Sequence, residues 1–198
     1  MTQPLDAGVN DQQIPVIDLS LAPGRRAAWD RPRWCVYLWT ITELLLVSNP
    51  WQPSSSLRRA ALKVFGASIG AGVVLRPRLR VKFPWKLEIG ARSWIGEDVW
   101  IHNQAHLSIG SDAVVSQGCF VTTGTHAYRG DMSLITRPVT LEDGVWITAR
   151  CIVLSGSVLR RSALILPGTV VQGEVPPGAI YGGNPGQVTG NRFASRGS

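Results

Sequence analysis

Residues 89–126 read IGARSWIGEDVWIHNQAHLSIGSDAVVSQGCFVTTGTH, and the spacing of their aliphatic residues decides the fold. From Ile89, an aliphatic residue recurs at every sixth position, and glycine often follows it directly. The fifth position of most hexads is small or β-branched, which predicts that Cys119 and Cys151 are core residues with no role in the chemistry. This period predicts short strands separated by tight turns, each strand pointing one aliphatic side chain inward.

The same pattern extends in both directions, from Ile69 to Val171, so that fifteen hexads can be aligned. Two extra residues, Leu87-Glu88 and Leu107-Ser108, each follow a run of three hexads, which gives a unit of about 20 residues. Three strands and a corner in each unit predict an all-β fold, a parallel β-helix of about five coils whose stacking buries a continuous core. The pattern is interrupted over 127–140, where we expect one extended loop.

Helical spacing replaces the hexads in the N-terminal third of the chain. Apolar residues from Trp29 to Val47 follow a helical period that Asn49-Pro50 ends, and a second helix is predicted between the N-cap Ser54 and the stop signal Gly66. These helices are expected to cover the open end of the first coil, as the caps of solenoids do.

The chain is therefore divided into three parts. We expect an N-terminal extension and helical cap at 1–66, with residues 1–24 extended or disordered. A β-helix domain is expected at 67–190 and a flexible tail at 191–198.

Composition narrows the function classes. Twenty Lys and Arg against 13 Asp and Glu give a net charge of +7 and a pI near 10.0, which favours anionic partners such as CoA-like ligands or a bilayer surface. The basic residues form no run of five, so nucleic acid is not expected as a partner. The three cysteines lack CxxC pairing and the N-terminus lacks a signal-peptide pattern, which predicts a cytoplasmic protein, free or at the inner face of the membrane.

Several segments resemble the hexapeptide-repeat acyltransferases, a family of left-handed parallel β-helices, and in particular its colanic-acid-type exopolysaccharide acetyltransferases. The segments are KFPWKLEIG (82–90), SWIGEDVWI (93–101), TTGTHAY (122–128), VWITAR (145–150) and VPPGAIYGGNP (175–185). The resemblance implies a homotrimer with active sites between subunits and acetyl-CoA as co-substrate, with no metal. It further implies transfer of an acetyl group to a sugar hydroxyl of an exopolysaccharide or lipid-linked precursor.

The three histidines are the main candidates for catalytic and acceptor-binding residues. His126 matches the catalytic histidine of the family within TTGTH, and it also ends a hexad where the loop leaves the coil, so it is the predicted general base. His106 is expected to stack near His126 because it lies at the same corner one unit earlier. The predicted acceptor-binding residues, each of which could instead be a structural or solvated corner residue, are His102, Asn103, His106, Glu97 and Asp98.

A second set of residues concerns CoA. The residues that resemble the family's segment at the thioester end of CoA are Gly144, Trp146, Thr148 and Ala149. Gly173 and Gln187 stand where many relatives carry lysines that contact CoA phosphate, so phosphate recognition is expected to shift. The proposed replacements, which could also be solvated turn charges, are Arg160, Arg161 and Arg192.

Other functions remain open at the level of sequence. The missing lysines leave room for a non-catalytic β-helix scaffold, and the fold also suits acetyltransferases that act on serine or an antibiotic. The zinc chemistry of γ-class carbonic anhydrases, which share the fold, is not expected. Their paired histidines are five residues apart, whereas the gaps between the histidines here are four and twenty.

The N-terminal segment at 25–51 also has the composition of a peripheral membrane contact, which would bring the protein near lipid-linked sugars. Such a contact is compatible with the capping role of the helices. The residues that favour it are Trp29, Trp34, Trp39, Trp51, Arg25, Arg26, Arg31 and Arg33.

Overall fold

The computed structural model describes residues 15–23 and 25–194, without the side chains of Arg25 and Ala27. The disorder predicted for 1–24 and the predicted flexibility of the last residues therefore lie largely outside the described residues. Within 15–23, Leu19–Leu21 form a short 3-10 helix, and Asp18 caps it by accepting the Ser20 N–H.

Helices precede the coils, as the sequence predicts. Ser54 Oγ accepts the Leu57 N–H at 3.2 Å, and Gly66 has a positive φ of 97°, so the predicted N-cap and stop signal both hold. The first helix begins later than predicted because Pro32 occupies its N-cap. The helices are α1 (Arg33–Thr42), which continues as a π-helical turn (Glu43–Val47), α2 (Ser55–Val64), and 3-10 helices at Arg25–Ala28 and Pro84–Lys86.

Short strands then wind into a parallel β-helix with three flat faces. The first face contains β1 (Ser68–Ile69), β4 (Leu87–Ile89), β7 (Leu107–Ile109), β12 (Val139–Leu141), β15 (Val158–Leu159) and β18 (Glu174–Val175). The second contains β2 (Val74–Leu75), β5 (Trp94–Ile95), β8 (Val114–Val115), β13 (Trp146–Ile147), β16 (Leu164–Ile165), β19 (Ala179–Gly183) and the antiparallel β20 (Gly186–Asn191). The third contains β3 (Arg80–Val81), β6 (Trp100–His102), β9 (Phe120–Thr122), β14 (Ile152–Val153) and β17 (Val170–Val171).

The stack has about six coils, slightly more than the five predicted, because the closing segment supplies β18 and β19. A separate antiparallel hairpin of β10 (Gly124–His126) and β11 (Leu134–Thr136) fills the interruption of the hexads. The three faces enclose a triangular prism with three edges. The chain turns from the first to the second face at the first edge and from the second to the third face at the second edge. It returns from the third to the first face at the third edge. The hairpin leaves from the third edge, between β9 and β12.

The aliphatic residues of the hexads form ladders inside the coils. On the first face, Ile89, Ile109, Leu141 and Leu159 occupy successive paired positions, and each is at most 2% exposed. Burying such a side chain stabilises the fold by roughly 1.5–3 kcal/mol, so the ladders supply a continuous core. Cys119 and Cys151 are fully buried in the same core, as predicted.

The hairpin does not disturb the register of the coils. Val139 pairs with Leu107 and Leu141 with Ile109, so β12 continues the first face as the two-residue inserts do. Val139 and Thr140 thus occupy in β12 the positions that Leu107-Ser108 and Leu87-Glu88 occupy in β7 and β4. The coil thus resumes its position after the excursion.

Glycine follows the inward aliphatic residue for a steric reason. A Cβ atom on Gly90 would lie 2.4 Å from the backbone nitrogen of Ser111 in the next coil, which is far too close. Several positions of positive φ are instead occupied by residues with side chains, among them Arg92 and Asp112. The coils therefore require glycine where they touch rather than wherever they turn.

The N-terminal helices and the C-terminal segment are both fixed to the stack. At the N-terminal end, Trp39 donates its Nε1–H to the Val81 carbonyl at 2.9 Å, and Leu62 of α2 is fully buried. At the other end, Arg192 donates to the carbonyl oxygens of Gly144 and Ser162 at 3.0 and 3.2 Å. The described chain is thus fixed to the first edge beyond residue 190, where a flexible tail is predicted to begin.

Candidate active site

His126 ends β10 and is exposed next to the loop of the hairpin, opposite Leu134 of β11. Its Nδ1 lies 2.8 Å from the carbonyl oxygen of Met132. Because a carbonyl oxygen can only accept, Nδ1 carries the proton in the neutral ring and Nε2 carries the free lone pair. In this orientation Nε2 is the ring nitrogen that can accept a proton.

The loop between the two strands holds this carbonyl in place. Met132 has a φ of +58°, an uncommon conformation for a residue with a side chain, and its N–H donates to the Ala127 carbonyl at 3.3 Å. Ala127 in turn donates to the Ser133 carbonyl at 2.9 Å, and Asp131 accepts the Ser133 N–H at 2.9 Å. A network of local hydrogen bonds thus fixes the group that orients His126.

A groove of about 470 Å³ runs along the third edge beside the hairpin. Its charged lining residues in the described chain are basic, Arg129 and Arg137, and none is acidic. Sequence reasoning missed most of this wall, although several of its residues directly follow the strands β14 and β17 and the hexads could have located them. The groove is lined by Gly124, Thr125, His126, Ala127, Tyr128, Arg129, Gly130, Ile135, Arg137, Leu154, Ser155 and Gln172.

Asn103 does not line a binding site. Its side chain is fully buried, its Oδ1 accepts the Phe83 N–H at 3.0 Å, and its Nδ2 donates to the carbonyls of Phe83 and Lys86 at 2.7 and 3.1 Å. The predicted contact with the acceptor is wrong in this structure, because every face of the amide is occupied by the backbone of the neighbouring coil. Asn103 is a structural clamp.

His106 does not stack on His126. Because Val139 pairs with Leu107, the coil position above His106 belongs to Pro138, and the hairpin carries His126 away from the stack. His106 Nε2 lies 3.5 Å from Glu88 Oε1 instead. The expected stacking is therefore wrong.

His102 lies on the third face, away from the groove of its own chain. Its ring contacts Trp100 and Phe120, with centroids 5.6 and 6.3 Å away. It lines a small pocket of about 170 Å³ beneath α1, together with Glu43. Burial raises the pKa of the Glu43 carboxyl, although the Val81 N–H donates to it and the Arg80 and Lys82 charges act in the opposite direction.

Glu97 and Asp98 lie at the second edge rather than beside His126. Arg78 binds both: its guanidinium is 3.2 Å from Glu97 and makes two hydrogen bonds of 2.7 Å to Asp98. These bonds lower the pKa of Asp98. Glu97 lines a second groove, of about 650 Å³, that crosses the second face past Trp94.

The residues predicted to contact the thioester end of CoA are also distributed over the second face and its edges. Trp146 points outward from β13 and donates its Nε1–H to Ser116 Oγ at 3.1 Å. Gly144 lies at the first edge, with a φ of +70°, whereas Thr148 and Ala149 lie at the second. A single chain does not bring these residues together with His126.

The arginines proposed for CoA phosphate already have partners. Arg160 makes ion pairs of 2.8 Å with Glu142 and 2.7 Å with Glu174, and Arg161 lies 3.3 Å from Asp143. The hydrogen bond from Arg160 lowers the pKa of Glu142. A phosphate would have to compete with these carboxylates at the first edge.

A metal site is not evident in the part of the chain that the structure describes. No group of three or more His, Cys, Asp and Glu side chains in residues 15–23 and 25–194 is arranged to hold an ion. Cys119 and Cys151 direct their thiols at the carbonyl oxygens of Thr148 and Leu166.

The stack of parallel coils with three faces is the fold of hexapeptide-repeat acetyltransferases, a left-handed β-helix. A hexapeptide-repeat acetyltransferase of Vibrio cholerae, solved with acetyl coenzyme A, matches 80% of this chain and 87% of its own with a TM-score of 0.72 and 20% identity. A galactoside acetyltransferase in complex with coenzyme A matches 80% of this chain and 81% of its own, with a TM-score of 0.71 and 16% identity.

Among curated proteins, the chain is similar to WcaF of Escherichia coli K12, which is named as a colanic acid biosynthesis acetyltransferase. The two are 28% identical over 160 residues, which cover 79% of this chain and 87% of WcaF. No protein-family model matches the chain. The predicted resemblance, the enzyme class and acetyl-CoA as co-substrate are confirmed at the level of these relatives.

Proposed function

We propose that this protein is an O-acetyltransferase that moves an acetyl group from acetyl-CoA to a sugar hydroxyl of an exopolysaccharide or lipid-linked precursor. The observation that carries the proposal is the orientation of His126, whose Nδ1–H is held by the Met132 carbonyl while Nε2 is left as a base beside a groove. The similarity to WcaF supports the type of acceptor.

The chemistry is a direct acyl transfer. The acceptor hydroxyl gives its proton to His126 Nε2 as its oxygen attacks the thioester carbonyl. The tetrahedral intermediate then collapses, the C–S bond breaks, and the CoA thiolate takes the proton from the imidazolium. We assign no nucleophilic role to Cys119 or Cys151, since both are buried in the core.

The charge of the groove favours anionic substrates. Arg129 and Arg137 line it without an acidic partner among the described lining residues, in contrast to the paired Arg160 and Arg161 at the first edge. We therefore assign to Arg129 and Arg137 the contacts with phosphate or carboxylate groups of the bound substrates.

A homotrimer would complete the site. The outward residues of the second and third faces are mostly apolar, whereas those of the first face are mostly polar, so the two apolar faces are available for contact between copies. Such contacts would make residues of a neighbouring subunit, Glu97 and Thr148 among them, available to complete the groove. The site residues that one chain keeps apart would then come together.

The proposed setting is the cytoplasm, at the inner face of the membrane. Free cysteines support an intracellular compartment, and the composition of residues 25–51 supports a peripheral contact. No helix in the described part of the chain is long and apolar enough to cross a bilayer.

The test is a thiol-release assay with acetyl-CoA and a panel of sugars, lipid-linked sugars, serine and aminoglycosides. His126→Ala is expected to lower kcat by roughly 10²–10⁴-fold, because it removes the base. Thr136→Ala is the matched control on the same hairpin, since Thr136 is exposed and does not line the groove.

Calorimetric titration with acetyl-CoA separates this proposal from a non-catalytic scaffold. Wild type and His126→Ala are both expected to bind acetyl-CoA, while His126→Ala transfers the acetyl group far more slowly than wild type. Absence of binding up to millimolar acetyl-CoA would favour the scaffold. Near wild-type transfer by His126→Ala would remove the assigned base.

A further inference from the structure

Helix α1 and its π-helical turn expose a continuous apolar surface, which we call the outward stripe. Its members recur every three or four residues, so they lie on one side of the helix. Each is between 48% and 68% exposed, although each is a large apolar or aromatic residue. The outward stripe consists of Trp34, Tyr37, Leu38, Ile41, Leu44 and Leu45.

The opposite side of the same helix is packed against the first coil. Val36, Trp39 and Val47 are buried there, and Trp39 is 1% exposed. Trp39 is therefore a core residue and not a membrane contact. Trp29 is half-buried, and its carbonyl accepts the Trp85 Nε1–H at 3.0 Å.

A helix that is apolar on both sides needs cover on both. The coils cover the inner side alone, and six large apolar side chains exposed together on one side of a helix mark an interaction site. The outward stripe is therefore an interaction surface whose partner has to be identified from the charges around it.

Those charges favour an anionic partner. Arg33 begins α1, Arg31 lies just before it and Arg26 belongs to the preceding 3-10 helix, and all three are exposed. The two acidic residues of the segment are engaged elsewhere: Asp30 forms an ion pair of 2.7 Å with Lys86, and Glu43 accepts the Val81 N–H at 2.7 Å. The outward stripe itself contains no acidic residue.

The aromatic residues point to the boundary between water and lipid. Trp34 and Tyr37 lie in the first turns of α1, and Trp51, just past the π-helical turn, is 91% exposed. Tryptophan and tyrosine are enriched at membrane interfaces, because one part of the ring is apolar and another is polar. The combination of an apolar stripe, interfacial aromatics and arginines is that of a helix lying in the plane of a bilayer.

We infer that the outward stripe docks the protein on a bilayer that contains anionic lipids. The helix and its π-turn cover 10 and 5 residues, about 22 Å at 1.5 Å per residue, which is too short to span a membrane. It therefore lies on the surface, with the stripe inserted and the arginines at the level of the headgroups.

A second copy of the chain is a less suitable occupant. Contact of α1 with the same helix around a threefold axis would gather three copies of Arg26, Arg31 and Arg33 in one place, where like charges repel. The outward faces of the β-helix offer apolar surface for self-association without that cluster. Anionic headgroups, by contrast, neutralise the arginines.

Co-sedimentation of the full chain with lipid vesicles tests this inference. Wild type is expected to sediment with vesicles that contain phosphatidylglycerol and much less with phosphatidylcholine alone, and added salt should weaken binding. Leu44→Ser/Leu45→Ser is expected to weaken binding at least about tenfold, because two inserted leucines are lost. Arg26→Gln/Arg33→Gln should reduce the preference for phosphatidylglycerol several-fold.

The matched control is Val188→Ser/Phe193→Ser, which removes two exposed apolar residues near the opposite end of the stack. It should bind vesicles as wild type does. Thermal unfolding and light scattering should show an unchanged fold and oligomeric state for all three double variants.

Three results would overturn the inference. The first is no sedimentation of wild type, and the second is sedimentation of Leu44→Ser/Leu45→Ser equal to that of wild type. The third is a changed oligomeric state in that variant, which would show that the stripe joins copies of the chain. Acetyl transfer to a soluble acceptor reports on the His126 groove separately and should persist in Leu44→Ser/Leu45→Ser.

Discussion

The structural roles of several polar residues in this protein depend on contacts with the neighbouring coil. Asn103 closes a corner of the preceding coil at Phe83 and Lys86, and Arg160 joins carboxylates of the coils before and after it. Sequence alone could not assign these roles, because the partners of an amide or a guanidinium depend on the register between coils. The inward aliphatic positions were predictable, since each of them repeats the same environment.

Glu43 gives a prediction about stability and pH. Burial raises its pKa in the folded state above the ordinary value of 4.5. The contribution of the protonated form to stability is therefore present below that ordinary value and is lost as pH rises through the raised folded pKa. Glu43→Gln keeps an oxygen that accepts the Val81 N–H and has no charge to bury.

We expect Glu43→Gln to unfold at about the same temperature as wild type near pH 4 and at a higher temperature near pH 8. Thermal unfolding followed by circular dichroism at the two pH values measures the difference. A variant that loses stability as pH rises, relative to wild type, would contradict burial as the main influence on Glu43.

The element that carries the candidate chemistry is the β10–β11 hairpin. The sequence predicted an excursion at this corner and the importance of His126, but not that Met132 would orient the ring. A loop of this kind is closed by its own backbone hydrogen bonds, which no periodic pattern records. The same limit explains why His106 was expected to stack near His126: the hexads are interrupted from residue 127, whereas the hairpin already begins at Gly124.

The backbone conformation of Met132 gives a prediction about the hairpin. Its positive φ of 58° is easily adopted by glycine and is resisted by β-branched residues. Met132→Gly should therefore keep the carbonyl near His126 and retain most of kcat. Met132→Val should displace the carbonyl and lower kcat on the order of tenfold, with a smaller effect on the KM for acetyl-CoA.

Steady-state kinetics of the two variants, with CoA release as the readout, provide the measurement. Equal kcat values for Met132→Gly and Met132→Val would mean that the carbonyl of residue 132 does not position the base. A loss of secondary structure in Met132→Val would be detected by circular dichroism before kinetics are compared.

The whole molecule presents three faces of different character. Outward residues of β8 and its neighbours on the second face are apolar, with Val114 between Trp94 and Trp146, whereas the corresponding residue of β7 on the first face is Ser108. Hexads predict this difference only weakly, because the outward position of a strand carries no periodic constraint. The sequence therefore predicts the faces that form the assembly less well than it predicts the core.

Val114→Glu tests the assembly. A charge placed in the middle of an apolar contact between copies should dissociate the proposed trimer, because burying it there without a partner costs several kcal/mol. Ser108→Glu places the same charge on the polar first face and should leave the assembly intact. Multi-angle light scattering measures both masses, and a trimeric Val114→Glu would exclude the second face from the contact.

The return of the coil to register after the hairpin has a consequence for how such proteins diversify. Because Val139 meets Leu107 as though nothing intervened, the 127–138 segment can change in length or composition without altering any ladder of the core. If His126 is the base as proposed, the loop that orients its ring and part of the groove wall belong to a segment that can be exchanged, while the coils below it stay unchanged. Exchanging this segment between relatives offers a route to new acceptors that leaves the foundation of the molecule in place.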